Sequence, residues 1–167
     1  MLFKQIIGQE PVKKQLVKSV EENRVPHAQL FIGPEGSGKL PLAIAYAQYI
    51  NCLDKKDGES CGVCSTCRKY GKFTHPDLHF VFPVKKASEA NPENSDTYIS
   101  HWREELLENP YMSPRRWYRK LNLENKQGII PANESNNIIR KLNYKSYEAD
   151  YKAMIIWLPE RMHQSTA

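Results

Sequence analysis

No apolar run in these 167 residues approaches the ~20 that a bilayer-spanning helix needs, which excludes such a helix from the sequence. The opening stretch, MLFKQIIGQEPVKKQ, lacks the long apolar core of a secretory signal, so a cytoplasmic protein is expected. Internal repeats and low-complexity tracts are missing as well, which excludes solenoid and fibrous classes. Charge of one sign is only mildly in excess. The net charge of +5 permits an acidic partner such as nucleic acid without requiring one. Cysteine is absent everywhere except between positions 52 and 67, where all four are gathered. In a reducing compartment, such a cluster points to metal or redox chemistry before disulfides. What remains is an ordinary globular mixture, 40% hydrophobic and 26% charged, long enough for one domain with a core.

Periodicity supplies the elements. Val12, Leu16, Val17 and Val20 share one face of a helix expected from about Pro11 to Asn23, with Pro11 suited to its first turn. Gln29-Leu30-Phe31-Ile32 reads as a short buried strand ending at a glycine. A second helix is expected from about Gly38 to Asn51. Asp77–Phe82 reads as a second strand and Lys152–Leu158 as a third, the most apolar of the chain. Helices fit Tyr98–Glu108, Pro114–Leu121 and Glu134–Tyr144, the last with Ile138, Ile139 and Leu142 as its apolar side. The polar stretch from Pro83 to Asp96 reads as a loop. Strands separated by helices predict an α/β fold with a parallel sheet flanked by helices.

Between the first strand and the second helix stands Gly33-Pro34-Glu35-Gly36-Ser37-Gly38-Lys39-Leu40. It matches a phosphate-binding loop at every position but the last. In such a loop Gly33, Gly36 and Gly38 let backbone N–H groups wrap phosphate oxygens, with Ser37 between them. Lys39 reaches the β and γ phosphates, and the helix N-terminus adds its dipole. A tight strand-to-helix turn with an incidental lysine is the plain structural alternative. The residue after the lysine normally carries a hydroxyl for magnesium, and Leu40 has none. A hydrolytic site also needs an acid at the end of a neighbouring strand. After Met154-Ile155-Ile156 the chain gives Trp157, and the first acid, Glu160, lies three residues further on. With both magnesium ligands missing, no ATP hydrolysis is expected, and ATP or ADP binding is expected to be weak or absent.

The cysteines are spaced Cys52-x8-Cys61-x2-Cys64-x2-Cys67. Two-residue gaps turn adjacent thiolates onto one ion, and Cys52 closes the set from the end of the preceding helix. Four thiolates leave no open position, which predicts structural zinc. Iron–sulfur ligation is the chemical rival. His75 and His79 read as ordinary strand-edge residues, because four sulfurs already satisfy zinc.

Taken together, IIGQEPVKKQL, RVPHAQLFIGPEGSGK, CGVCSTC, HPDLH and YKAMIIWLPERM resemble the bacterial clamp-loader family, the AAA+ subunits of DNA polymerase III. The resemblance covers about residues 3–82 and 128–167. It implies a P-loop AAA+ domain, of which this chain is the N-terminal part, with a zinc module at 52–67 inserted after the loop helix. It places Ile7 in the segment that caps the adenine pocket. Motor subunits of the family, gamma and tau, keep the loop hydroxyl and the strand acids, whereas delta-prime tends to lose them. Leu40 and Trp157 therefore imply a delta-prime-like stator, with gamma/tau and delta subunits as partners. The sliding clamp and primed DNA would be met through the complex, and no membrane is implied.

Two departures stand out. Residues from about 83 to 127 have no family counterpart, and they carry Trp102 and the run Arg115-Arg116-Trp117-Tyr118-Arg119-Lys120. That run could touch DNA or a partner subunit, but a solvated helix packing its aromatics inward is the plainer expectation. In the family's sheet order, a strand not carried here lies between those near Leu30 and Ile155. The arginine finger, lid and collar would lie beyond Ala167, so a fragment of a longer protein is expected. Two other functions stay open: an ATP-hydrolysing gamma/tau-type motor, and a zinc-dependent nucleic-acid-binding module on an inactive P-loop scaffold.

Overall fold

The computed structural model describes residues 1–86, 93–123 and 126–164. Part of the 83–96 loop, part of the 83–127 segment and the terminal Ser165, Thr166 and Ala167 lie outside the described residues. Two units divide the chain. The first holds Met1–Leu78 with Glu148–Ala153, and the second holds His79–Tyr147 with Met154–Ala167.

The first unit is built around a central helix. A short 3-10 turn at Phe3–Gln5 leads to α1, Glu10–Glu21. Leu16 of α1 is buried, and Val12, Val17 and Val20 are half-buried on the expected face. Lys13 is also buried; its ammonium donates to the Ile6 carbonyl and the Glu10 carboxylate, both at 2.7 Å. Helix α2, Lys39–Asn51, is covered on nearly all sides, as its mostly apolar sequence KLPLAIAYAQYI dictates. It packs against α1 and against α3, Ser65–Gly71. The returning segment is pinned at both ends. Asp77 Oδ2 accepts from the N–H groups of Glu148 and Ala149 at 2.9 and 3.0 Å. Asn51 pairs with the backbone of Tyr151 in both directions, at 2.9 and 3.1 Å.

The expected strand at Gln29–Ile32 does not form. The segment is irregular, with Leu30 73% and Ile32 85% exposed. An extended segment gains its ladder bonds only beside another strand. Among the described residues the sheet has two strands, β1 at Leu78–Val81 and β2 at Ala153–Ile156. Apolar content at 29–32 therefore has no ladder to join. The two strands that do form run parallel: Ala153 N–H donates to Asp77 O and Trp157 N–H to Val81 O, each at 2.8 Å.

An aromatic cluster forms the core of the second unit. The 83–127 segment contributes α4, Ile99–Glu108, and α5, Pro114–Lys120. Trp102 on α4 stacks on Phe82 at 4.2 Å between ring centroids, and Trp117 on α5 meets both edge-on at 5.1 Å. Trp117 Nε1 donates to the Pro83 carbonyl at 2.7 Å. The plainer expectation for the basic-aromatic run is what the fold shows. Trp117 is fully buried, while Arg116 pairs with Glu105 at 2.6 Å and Glu108 at 2.8 Å.

Helix α6, Glu134–Asn143, turns its polar side inward. Buried Glu134 accepts from Ser95 N–H at 2.7 Å and from Asn137 Nδ2 at 2.9 Å, and Asn137 Nδ2 also reaches Asp96. Of the apolar side named from the sequence, Ile138 is half-buried, while Ile139 and Leu142 face out, 56% and 50% exposed. Amphipathicity identified the stripe but not what covers it.

Candidate metal centre and phosphate loop

Cys52 follows the last turn of α2 and is buried there. Residues 53–60 then form a small hairpin, with Lys56 and Glu59 bridged around Asp57 and Gly58, both at positive φ. This Asp-Gly turn suits a tight two-residue hairpin. The hairpin delivers Cys61. Gly62 follows at φ 74, a left-handed conformation open to glycine at little cost, and it turns the chain so that Cys64 comes back beside Cys61. Cys64 caps α3, and Cys67 lies in its first turn.

The four Sγ atoms all lie within 4.8 Å of one another. Cys52 and Cys61 sulfurs are 3.6 Å apart, and those of Cys61 and Cys67 are 3.9 Å apart. A tetrahedral ion with sulfur bonds of ~2.3 Å requires sulfur–sulfur edges of about 3.8 Å. All four cysteines are free thiols. Backbone N–H groups point at the sulfurs: Cys61 N–H at Cys52, Cys64 N–H at Cys61 and Cys67 N–H at Cys64, at 3.3, 3.3 and 3.4 Å. The N–H groups of Cys64 and Val63 pull the Cys61 thiol down to about 6, whereas burial pushes Cys52 and Cys67 up. Such N–H donors stabilise thiolate, the form that binds metal. The cluster could hold a metal ion such as zinc. His75 stands apart from it. It precedes β1, is buried, and has Nε2 3.2 Å from Glu148 Oε1, while its Nδ1 accepts from Asp77 N–H at 3.1 Å.

The glycine loop of the first unit turns at Gly36 (φ 79) and enters α2 through Gly38 (φ 83). Lys39 folds back on the loop. Its Nζ donates to the carbonyls of Gly33 and Pro34, each at 2.6 Å, with Ser37 Oγ at 3.5 Å. Leu40 is buried at the start of α2. Gln9 Nε2 donates to Ser37 O at 3.1 Å, which brings the N-terminal segment against the loop. Ile7, two residues earlier, is exposed. In the second unit, Trp157 packs against Trp102 at 5.2 Å between ring centroids, and Glu160 lies in the exposed 3-10 turn Pro159–Arg161.

One residue of this region escaped the sequence reading. Glu59 sits on the hairpin between two metal-ligand candidates. Its carboxylate accepts from the N–H groups of Phe3 and Lys4 at 3.0 and 2.8 Å. The Asp-Gly turn just before it signalled the hairpin, but nothing local signalled a partner more than fifty residues away.

A profile of the family described as DNA polymerase III, delta subunit, matches residues 8–167. The chain belongs to this family, that of the clamp-loader AAA+ subunits. It is 41% identical over 83 residues to DNA polymerase III subunit delta' of Bacillus subtilis, a match covering 47% of this chain and 25% of that protein. It is 25% identical over 140 residues to the gamma/tau subunit of Mycoplasma genitalium, covering 84% of this chain and 22% of the relative. The tau subunit of Escherichia coli is 28% identical over 140 residues, covering 84% and 20% respectively. The matched regions thus span a quarter or less of these relatives. Among the described residues no helix is long and apolar enough to cross a membrane.

Proposed function

We propose that the chain is a delta-prime-like subunit of the DNA polymerase III clamp loader. It serves as a non-hydrolysing stator that helps place the sliding clamp on primed DNA, beside gamma/tau and delta subunits. One observation carries this reading: both magnesium-ligand positions hold side chains without oxygen, and both of those side chains are used for packing. Leu40 is buried in α2, and Trp157 packs on Trp102. Gly33, Gly36, Ser37, Gly38 and Lys39 keep a loop able to hold an anion, with Ile7 on the adenine side, so ATP or ADP binding is weak and independent of magnesium. Cys52, Cys61, Cys64 and Cys67 hold one structural zinc, since sulfurs this close together leave room for a single ion. The chain forms the N-terminal part of an AAA+ P-loop domain, with a zinc module at 52–67 and an added segment at about 83–127.

A gamma/tau-type motor is the second reading. It is favoured by the longer matches to gamma/tau proteins, which cover 84% of the chain against 47% for delta'. Nucleotide binding separates the two. Titration of the full chain with ATP, with and without magnesium, gives equal and weak affinity for a delta-prime-like loop. Affinity raised tenfold or more by magnesium would support a motor.

A further inference from the structure

The hairpin between Cys52 and Cys61 does more than connect two candidate ligands. It grips the N-terminal segment. Glu59 Oε1 accepts from Phe3 N–H at 3.0 Å and from its neighbour Ser60 N–H at 3.0 Å, and Oε2 accepts from Lys4 N–H at 2.8 Å. A carboxylate sharing itself among three backbone donors forms charge-assisted bonds, stronger than neutral ones. Apolar contacts reinforce the grip. The Phe3 ring lies 5.6 Å from that of Tyr49, less than one turn before Cys52, and the Leu2 side chain lies over Gly62 in the knuckle between Cys61 and Cys64. The tip of the hairpin, Gly58, touches Val17 of α1. From the gripped turn the chain runs through Ile6, whose carbonyl is held by buried Lys13. It then passes Gly8 and Gln9, both at positive φ, and reaches the phosphate loop at Ser37 O.

We infer that Glu59 is a positioning residue that makes the metal centre a clasp: metal on the four thiolates fixes the 53–60 hairpin, and Glu59 on that hairpin fixes the N-terminal segment that ends at the phosphate loop. The hairpin has one bridge of its own, at Lys56 and Glu59, and a lone two-stranded hairpin is marginal in water. Its order therefore depends on its anchored ends, Cys52 and Cys61, with the contact of its tip on Val17 as a further hold. The role assigned to Glu59 rests on the four-thiolate metal reading, and the test separates the two.

Amide hydrogen exchange is followed in the full chain in three states: loaded with one equivalent of zinc, stripped by chelator under reductant, and reloaded. The same measurement is made on zinc-loaded Glu59→Gln. Stripping should speed exchange at Phe3 and Lys4 at least tenfold, and reloading should reverse it. The Trp117 amide, bonded within the second unit to Ser113 O at 3.1 Å, should change less than twofold. Zinc-loaded E59Q should show the same acceleration at Phe3 and Lys4 while keeping its zinc, a combination that general destabilisation would not produce. Equal protection of Phe3 and Lys4 with and without zinc would overturn the clasp. So would full protection in zinc-loaded E59Q, which decides the matter even where stripping unfolds the chain. Failure to take up stoichiometric zinc would overturn the metal reading itself.

Discussion

Trp157, just past the end of β2, packs on Trp102 with ring centroids 5.2 Å apart. Trp157 is half-buried, and its ring is used for packing against the fully buried Trp102. Leu40 is likewise buried, and on the proposed reading it stands where a magnesium-binding hydroxyl would be. Restoring one acid should therefore harm stability without restoring turnover. Trp157→Asp removes aromatic contact and places a carboxylate against indole. We expect a loss of about 2 kcal/mol or more, measured by chemical denaturation. No gain in ATP turnover is expected, because Leu40 still offers magnesium nothing.

The metal centre predicts a stoichiometry. Elemental analysis of protein purified under reductant should find one zinc per chain, and Cys67→Ser should reduce it at least tenfold and lower the thermal midpoint. Less than about half a zinc per chain in the unsubstituted protein contradicts a fully occupied four-thiolate site.

His75 predicts a pH dependence with a definite sign. Burial lowers its pKa below the ordinary 6.5, outweighing the opposing pull of Glu148 and Asp77, while Lys69 adds to the lowering. Above pH 6.5 the imidazole is neutral in both folded and unfolded chains, and its contribution to stability is complete. Below that value the unfolded chain takes up the proton first, so stability falls until the lowered folded pKa is reached. Denaturation midpoints between pH 8 and pH 5 should drop on the acid side. His75→Gln should flatten that drop, and an unchanged slope in the variant would contradict the assignment.

The 83–127 segment predicts a contrast between neighbouring side chains. Trp117→Ala empties a fully buried site and breaks the bond to Pro83 O, so about 3–5 kcal/mol should be lost. Arg115→Ala and Arg119→Ala, on the exposed side of α5, should stay within about 0.5 kcal/mol. Salt-dependent DNA binding by the chain that disappears in Arg115→Ala/Arg119→Ala would instead favour a nucleic-acid surface.

Much of the helical structure was legible in the sequence, because helices are local. The apolar spacing and Pro11 placed α1, and the 114–121 expectation fell within one residue of α5, Pro114–Lys120. The strands at 78–81 and 153–156 were legible because their apolar runs find each other. Gln29–Ile32 is just as apolar, yet its order depends on a neighbour that local pattern cannot supply. The same limit explains α6: Ile139 and Leu142 marked a stripe, but Ser95 and Asp96 draw the polar side inward. Spacing alone placed the four cysteines together. It missed α3, Ser65–Gly71, which runs through Cys67, and it read His75 as a strand-edge residue when its partner Glu148 lies far along the chain.

ATP hydrolysis is what separates a delta-prime-like subunit from a gamma/tau-type motor. The direct test is ATP turnover, with magnesium, clamp and primed DNA, by the chain mixed with gamma/tau and delta subunits of a clamp loader, each gamma/tau subunit carrying a substituted phosphate-loop lysine. A non-hydrolysing subunit predicts no turnover above that of buffer alone. Sustained magnesium-dependent turnover that is lost in Lys39→Ala would contradict it.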